Sequence, residues 1–280
     1  MSAFSAVSAA PVSALQVQVT PANPHLGDTL SVVIKQDSPD GNEAVTSSPT
    51  VTFDQKTYPT FAIASNQFRA FLPTTPLDRP GIKQIQVAEA GQVQKVSVLL
   101  HDRPFPVQHI TLPPRKADLE ATEDELKRVA AFKQLETPQK FWNGLFLKPN
   151  QGPITTIYGV RRYYNGEFAK DYYHGGIDYA GAFGSPVIAP ASGRIALVGR
   201  ESQGFRVHGN CIGIDHGQGV TSIFMHLSRI YVKEGDFVRA GQVIGAVGST
   251  GAATGPHLHW GLYVQGQAVD PEPWRNHKFN

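Results

Sequence analysis

Between residues 15 and 100 apolar and polar positions alternate in short runs, at 15–19, 30–34, 51–53, 84–87 and 93–99, with clusters of Pro, Gly, Asn and Asp between them. Period-two alternation punctuated by turn residues predicts short antiparallel strands, each with one buried face, assembled as a small sandwich. The expectation is an immunoglobulin-like accessory unit over residues 1–101. It lacks a Cys pair and a His cluster, so no chemistry is expected of it.

The pattern breaks at Asp102. Pro104, Pro106, Pro113 and Pro114 disfavour both helix and central strand and mark a linker. Beyond it, Thr122 and Glu125 fit a capping box, Leu126, Val129, Phe132 and Leu135 form an apolar stripe at helical spacing, and Pro138 stops the helix. Residues 102–149 therefore read as a proline-rich linker and one connector helix packed on the unit that follows. After Asn150 alternation returns with many glycines, at 186–190, 193–198, 211–214, 222–226, 242–247 and 257–262, which predicts a second antiparallel unit over residues 150–280. The fold class expected is mainly β.

Composition adds exclusions. The chain has 280 residues, more than the ~100–200 of one ordinary domain. A formal charge of +2 without clustered Lys and Arg gives no footing for a nucleic-acid partner. No run approaches the roughly 20 apolar residues of a transmembrane segment. The single cysteine, Cys211, sits in an apolar run and reads as an inert buried thiol.

Histidine carries the candidate chemistry, because seven of the ten lie between His174 and His277. In His174-Gly175-Gly176-Ile177-Asp178 two glycines let the backbone fold so that an imidazole and a carboxylate meet. His226 ends a strand-like run. His257-Leu258-His259 puts two imidazoles on one face of a strand. A catalytic zinc ion takes three His or Asp/Glu ligands and keeps a position open, and His174, Asp178 and one member of the His-x-His pair supply that set. The other member and His226 are left for proton transfer and oxyanion support, which the sequence must find without a His-Glu-x-x-His helix. His208 and His216 lie in turn-like surroundings and read as turn residues. Trp142, Trp260 and Trp274 read as packing.

These three motifs, with Phe224-Met225-His226-Leu227-Ser228 and Thr254-Gly255-Pro256-His257-Leu258-His259 written out in full, resemble the signatures of the lysostaphin-type, or LytM-like, zinc endopeptidases. The resemblance runs from about Gly152 to Pro271. It implies a β-hammerhead-like antiparallel domain, Zn2+ held by His174, Asp178 and His259, and His226 and His257 as catalytic helpers. It also implies peptidoglycan stem peptides or cross-links as substrate, with D,D-bonds favoured over glycyl-glycine bridges. An extracytoplasmic location follows, with a signal peptide removed, and a cell-wall or divisome protein becomes a candidate partner for the N-terminal unit. A catalytically silent or gated activator of another cell-wall hydrolase is the alternative. A lipoyl- or biotinyl-like carrier would share the β geometry, yet no lysine lies between Lys170 and Lys233 to be modified.

Overall fold

The computed structural model describes residues 15–36, 48–111 and 119–279. The N-terminal part holds β1 (Leu15–Thr20), β2 (Thr29–Gln36), β3 (Thr50–Phe53), β4 (Lys56–Tyr58), β5 (Phe61–Ala64), β6 (Gln67–Pro73), β7 (Gly81–Glu89) and β8 (Gln92–Leu100). They form two four-stranded antiparallel sheets, ordered β1-β2-β6-β5 and β4-β3-β7-β8. Leu30, Val32 and Ile34 of one sheet meet Val51, Ile85 and Val87 of the other in a shared core, the sandwich that the alternation predicts.

Alternation does not reveal β6, because β6 is buried on both faces. Its Phe71 leaves the sandwich core and packs against Trp142, Trp274 and Phe279 of the C-terminal part. Further ties cross the same junction. Arg103 pairs with buried Asp270 at 2.6 Å, Trp274 Nε1 donates to Thr29 Oγ1 at 3.2 Å, and Asp270 N donates to Gly27 O at 2.9 Å.

The linker is not structureless. After Pro104 and Pro106 it forms β9 (Val107–Ile110), an edge strand, where a proline at the border removes no internal ladder bond. The helix α1 (Glu123–Lys133) follows, N-capped by Thr122, with Val129 and Phe132 buried against the second unit. That unit comprises β10 (Ile154–Thr156), β11 (Arg161–Tyr164), β12 (Glu167–Phe168), β13 (Gly176–Tyr179), β14 (Pro186–Ile188), β15 (Gly193–Gly199) and β16 (Cys211–Gly217). It continues through β17 (Val220–Met225), β18 (Leu227–Ile230), β19 (Phe237–Val238), β20 (Val243–Val247), β21 (Leu258–Val264), β22 (Gln267–Val269) and the short helix α2 (Pro271–Asn276). The main sheet runs β10-β13-β21-β17-β16-β15-β19, with β22 on β21. Smaller sheets run β14-β20-β18 and β12-β11-β9, the last with β9 parallel to β11.

His216, expected in a turn, lies inside β16 and is fully buried beside Phe146, ring centroids 4.9 Å apart. All three tryptophans are buried packing residues, as expected. Burial pushes the Cys211 thiol up to about 12, which leaves it protonated and inert. Among the described residues no helix is long and apolar enough to cross a membrane.

Candidate metal centre

The centre is built where β13 pairs with β21. Their antiparallel register sets Asp178 directly opposite His259, so a carboxylate and an imidazole on adjacent strands project from one face. His174 lies just before β13, where its N–H donates to Val160 O and its carbonyl accepts from Gly159 N, both at 2.9 Å. Its Nδ1–H donates to Ile157 O at 2.8 Å, which fixes the tautomer and turns Nε2 inward. Gly176 allows the close approach, since a Cβ there would lie 2.3 Å from Trp260 O and 2.8 Å from His259 Nε2.

Three donor atoms converge as a result. Asp178 Oδ1 lies 3.0 Å from His174 Nε2 and 2.8 Å from His259 Nδ1, and the two nitrogens are 3.0 Å apart. All three residues are buried, and their ligand atoms fall within 4.8 Å of one another. Burial alone would raise the Asp178 pKa, but its contacts with His174 and His259 outweigh that and hold the carboxyl well below the usual range. Burial lowers His259 to about 4, against the opposing pull of Asp178. An ionised carboxylate and a neutral imidazole are the forms in which these side chains ligate metal. Two imidazole nitrogens and one carboxylate oxygen, gathered in a buried site with His174 oriented by a backbone carbonyl, fit a divalent metal of the zinc type.

His226 and His257 stand beside this set. Met225 pairs with His259 across β17 and β21, so His226 emerges next to the cluster, its ring centroid 4.8 Å from that of His257 and 6.5 Å from that of His259. His226 adopts a left-handed backbone, φ 64°, a conformation few residues other than glycine take. Its Nδ1–H donates to Thr250 O at 2.9 Å and its N–H to His208 O at 3.1 Å. His257, one residue before β21, donates Nδ1–H to Gly255 O at 2.9 Å. Among the described residues Nε2 of neither ring meets a hydrogen-bond partner. Burial, with His257 and His259 close by, lowers His226 to about 3, so its Nε2 lone pair is available at neutral pH.

The five site residues expected from sequence thus come together in one place. Sequence reasoning missed the carbonyls of Ile157, Gly255 and Thr250 that orient the rings, because a backbone acceptor has no residue signature. It also missed Glu125, which holds the loop at His208.

Comparison with known proteins adds a family for the part of the chain that carries this site. Residues 172–271 match the family model Peptidase family M23, and this part of the chain is a Peptidase M23 domain. A crystal structure from Pseudomonas aeruginosa assigned to peptidase M23 superposes with a TM-score of 0.63 at 26% identity, covering 91% of this chain and 95% of that one. A DD-carboxypeptidase/endopeptidase of Neisseria meningitidis serogroup B is 48% identical over 98 residues, which is 35% of this chain and 22% of that protein. Lysostaphin of Staphylococcus staphylolyticus is 43% identical over 106 residues, 36% of this chain and 22% of that protein. The match spans about a fifth of the length of these curated relatives.

Proposed function

We propose that the protein is a zinc-dependent endopeptidase that hydrolyses peptide bonds in bacterial peptidoglycan. The observation that carries this reading is the convergence of His174, Asp178 and His259, with the rings of His226 and His257 alongside. His174, Asp178 and His259 would hold the metal. Zinc bound there supplies Lewis acidity toward a peptide carbonyl and a more acidic water. His226 takes a proton from the attacking water at Nε2 and returns it to the leaving amine, while Thr250 O keeps the ring in the required tautomer. His257 would steady the developing oxyanion from beside His226, the two ring centroids 4.8 Å apart.

Stem-peptide or cross-link D,D-bonds are the favoured substrate, supported by the greater identity to the Neisseria DD-carboxypeptidase/endopeptidase than to lysostaphin. The silent-activator reading draws no support from a site in which all five positions are filled. The domain division proposed is residues 1–101 as an immunoglobulin-like accessory unit, 102–149 as linker and connector helix, and 150–280 as peptidase. The accessory unit is assigned to placement on the wall or to a cell-wall or divisome protein partner, in an extracytoplasmic setting. Metal analysis of the purified chain, with product masses from digested sacculi, tests the proposal. One zinc per chain and cleaved cross-links are expected, and intact muropeptides from zinc-loaded protein would refute it.

A further inference from the structure

Glu125 is an acidic residue in the first turn of α1, outside the residues matched to the family, yet it is fully buried. The capping-box reading expects its side chain to turn back to the N-cap. Only half of that box forms. Thr122 Oγ1 accepts from Glu125 N at 3.2 Å, whereas the Glu125 carboxylate leaves the helix for a distant loop. Glu125 Oε2 accepts from Arg206 N at 2.8 Å, and Oε1 accepts from Val207 N at 3.0 Å, His208 N at 2.7 Å and His208 Nδ1 at 2.7 Å. Three successive amides and one imidazole are thus gathered on one carboxylate. Charge-assisted bonds of this kind are stronger than neutral ones, and the carboxylate that accepts them is itself fully buried.

The opposite side of the same loop places His226. His208 O accepts from His226 N at 3.1 Å, and Asn210 O accepts from Leu227 N at 2.9 Å. Val207 O accepts from Ala252 N at 2.9 Å, and Asn210 N donates to Thr250 Oγ1 at 3.0 Å. Thr250 is the residue whose carbonyl receives the His226 Nδ1–H. The left-handed conformation of His226 persists only where its surroundings over-determine it, and residues 208–210 are part of those surroundings.

We propose that Glu125 is a positioning residue for His226: its carboxylate fixes the backbone of residues 206–208, and that backbone holds His226 and Thr250 in the arrangement that directs the imidazole to the metal centre. The role in turnover rests on the peptidase reading of the site. The hold on His226 does not.

The test uses the full chain with Glu125→Ala and Glu125→Gln. Three readouts are taken: zinc content, kcat and KM on a purified cross-linked muropeptide dimer, and hydrogen exchange of the His226 amide in metal-free protein. Glu125→Ala should bind zinc as the parent does and keep KM within about twofold, while kcat per folded molecule falls about 10- to 100-fold. Exchange at His226 should quicken in the same variant. Glu125→Gln keeps an acceptor for the backbone amides and should recover part of both effects. Should the alanine variant fail to fold, the glutamine variant decides by the same readouts. Unchanged kcat per folded molecule, or unchanged exchange at His226, overturns the proposal. If the parent chain itself cleaves nothing, the peptidase reading fails, and exchange at His226 alone decides whether Glu125 holds it.

Discussion

His216 makes the C-terminal unit sensitive to acid, and the size of the effect follows from its surroundings. Its Nδ1–H donates to Ser192 O at 2.9 Å, and its Nε2 accepts from Ser222 Oγ at 2.9 Å. Ser222 Oγ in turn accepts from Trp260 Nε1 at 3.2 Å. A proton added at Nε2 would set two N–H donors against one hydroxyl in a dry core. Burial accordingly lowers His216 from 6.5 to about 4, only partly opposed by Ser192. The folded state therefore favours the neutral ring. The stabilisation is fully present above pH 6.5 and is lost as pH falls from there through about 4. At about 1.4 kcal/mol for each factor of ten in proton affinity, the fall to about 4 corresponds to about 3 kcal/mol. Urea unfolding of metal-free parent and His216→Gln, followed by tryptophan fluorescence at pH 7 and pH 4, isolates it. His226 and His259 titrate in both proteins and cancel in the comparison. The parent should lose about 3 kcal/mol more than the variant between the two pH values. Equal losses would refute the reasoning and place the protonation elsewhere.

Asp178→Ala should lose its zinc, read by elemental analysis, because the remaining imidazoles leave the ligand set one short. His226→Ala and His257→Ala should retain zinc and lose about 10²–10⁴-fold in turnover of sacculi, the ordinary contribution of a proton-transfer group. Gly176→Ala should lower stability by about 1–3 kcal/mol and weaken zinc binding, read by thermal melting and metal titration, since its Cβ would press on Trp260 O and His259.

Much of this was legible in the sequence, for reasons that differ by residue. His174, Asp178 and one member of the His-x-His pair could be grouped because the two glycines between His174 and Asp178 permit close approach and because His-x-His fixes a strand face, while the choice of His259 over His257 came from the family resemblance. The N-terminal strands β1, β2, β3, β7 and β8 were visible as alternation. Strand β6 was hidden, since packing against Trp142 and Trp274 buries its second face and erases period two. Arg69 disguised it further, a charged residue only 1% exposed in mid-strand, where burial lowers its pKa. Strand β9 was obscured by flanking prolines, which an edge strand tolerates. Glu125 was assigned to a local cap because sequence proximity cannot show an acceptor's distant partners. His216 was read as a turn residue from its glycine neighbours, yet the hairpin closes just beyond it, between Gly217 and Val220.

The parallel register of β9 on β11, from Val107 beside Arg161 to Ile110 beside Tyr164, sets the smallest piece of this chain that could be inherited or transplanted intact. Residues 172–271 alone would arrive in a new host protein without β10, which borders Asp178, and without the β9–β11 ladder. They would also arrive without the Ile157 carbonyl that orients His174. A recombination junction that keeps the Ile157 carbonyl falls upstream of β10, and one that also keeps the β9–β11 ladder falls upstream of β9. The segment that looks like a spacer between two modules thus lends one strand, β9, to a sheet of the second.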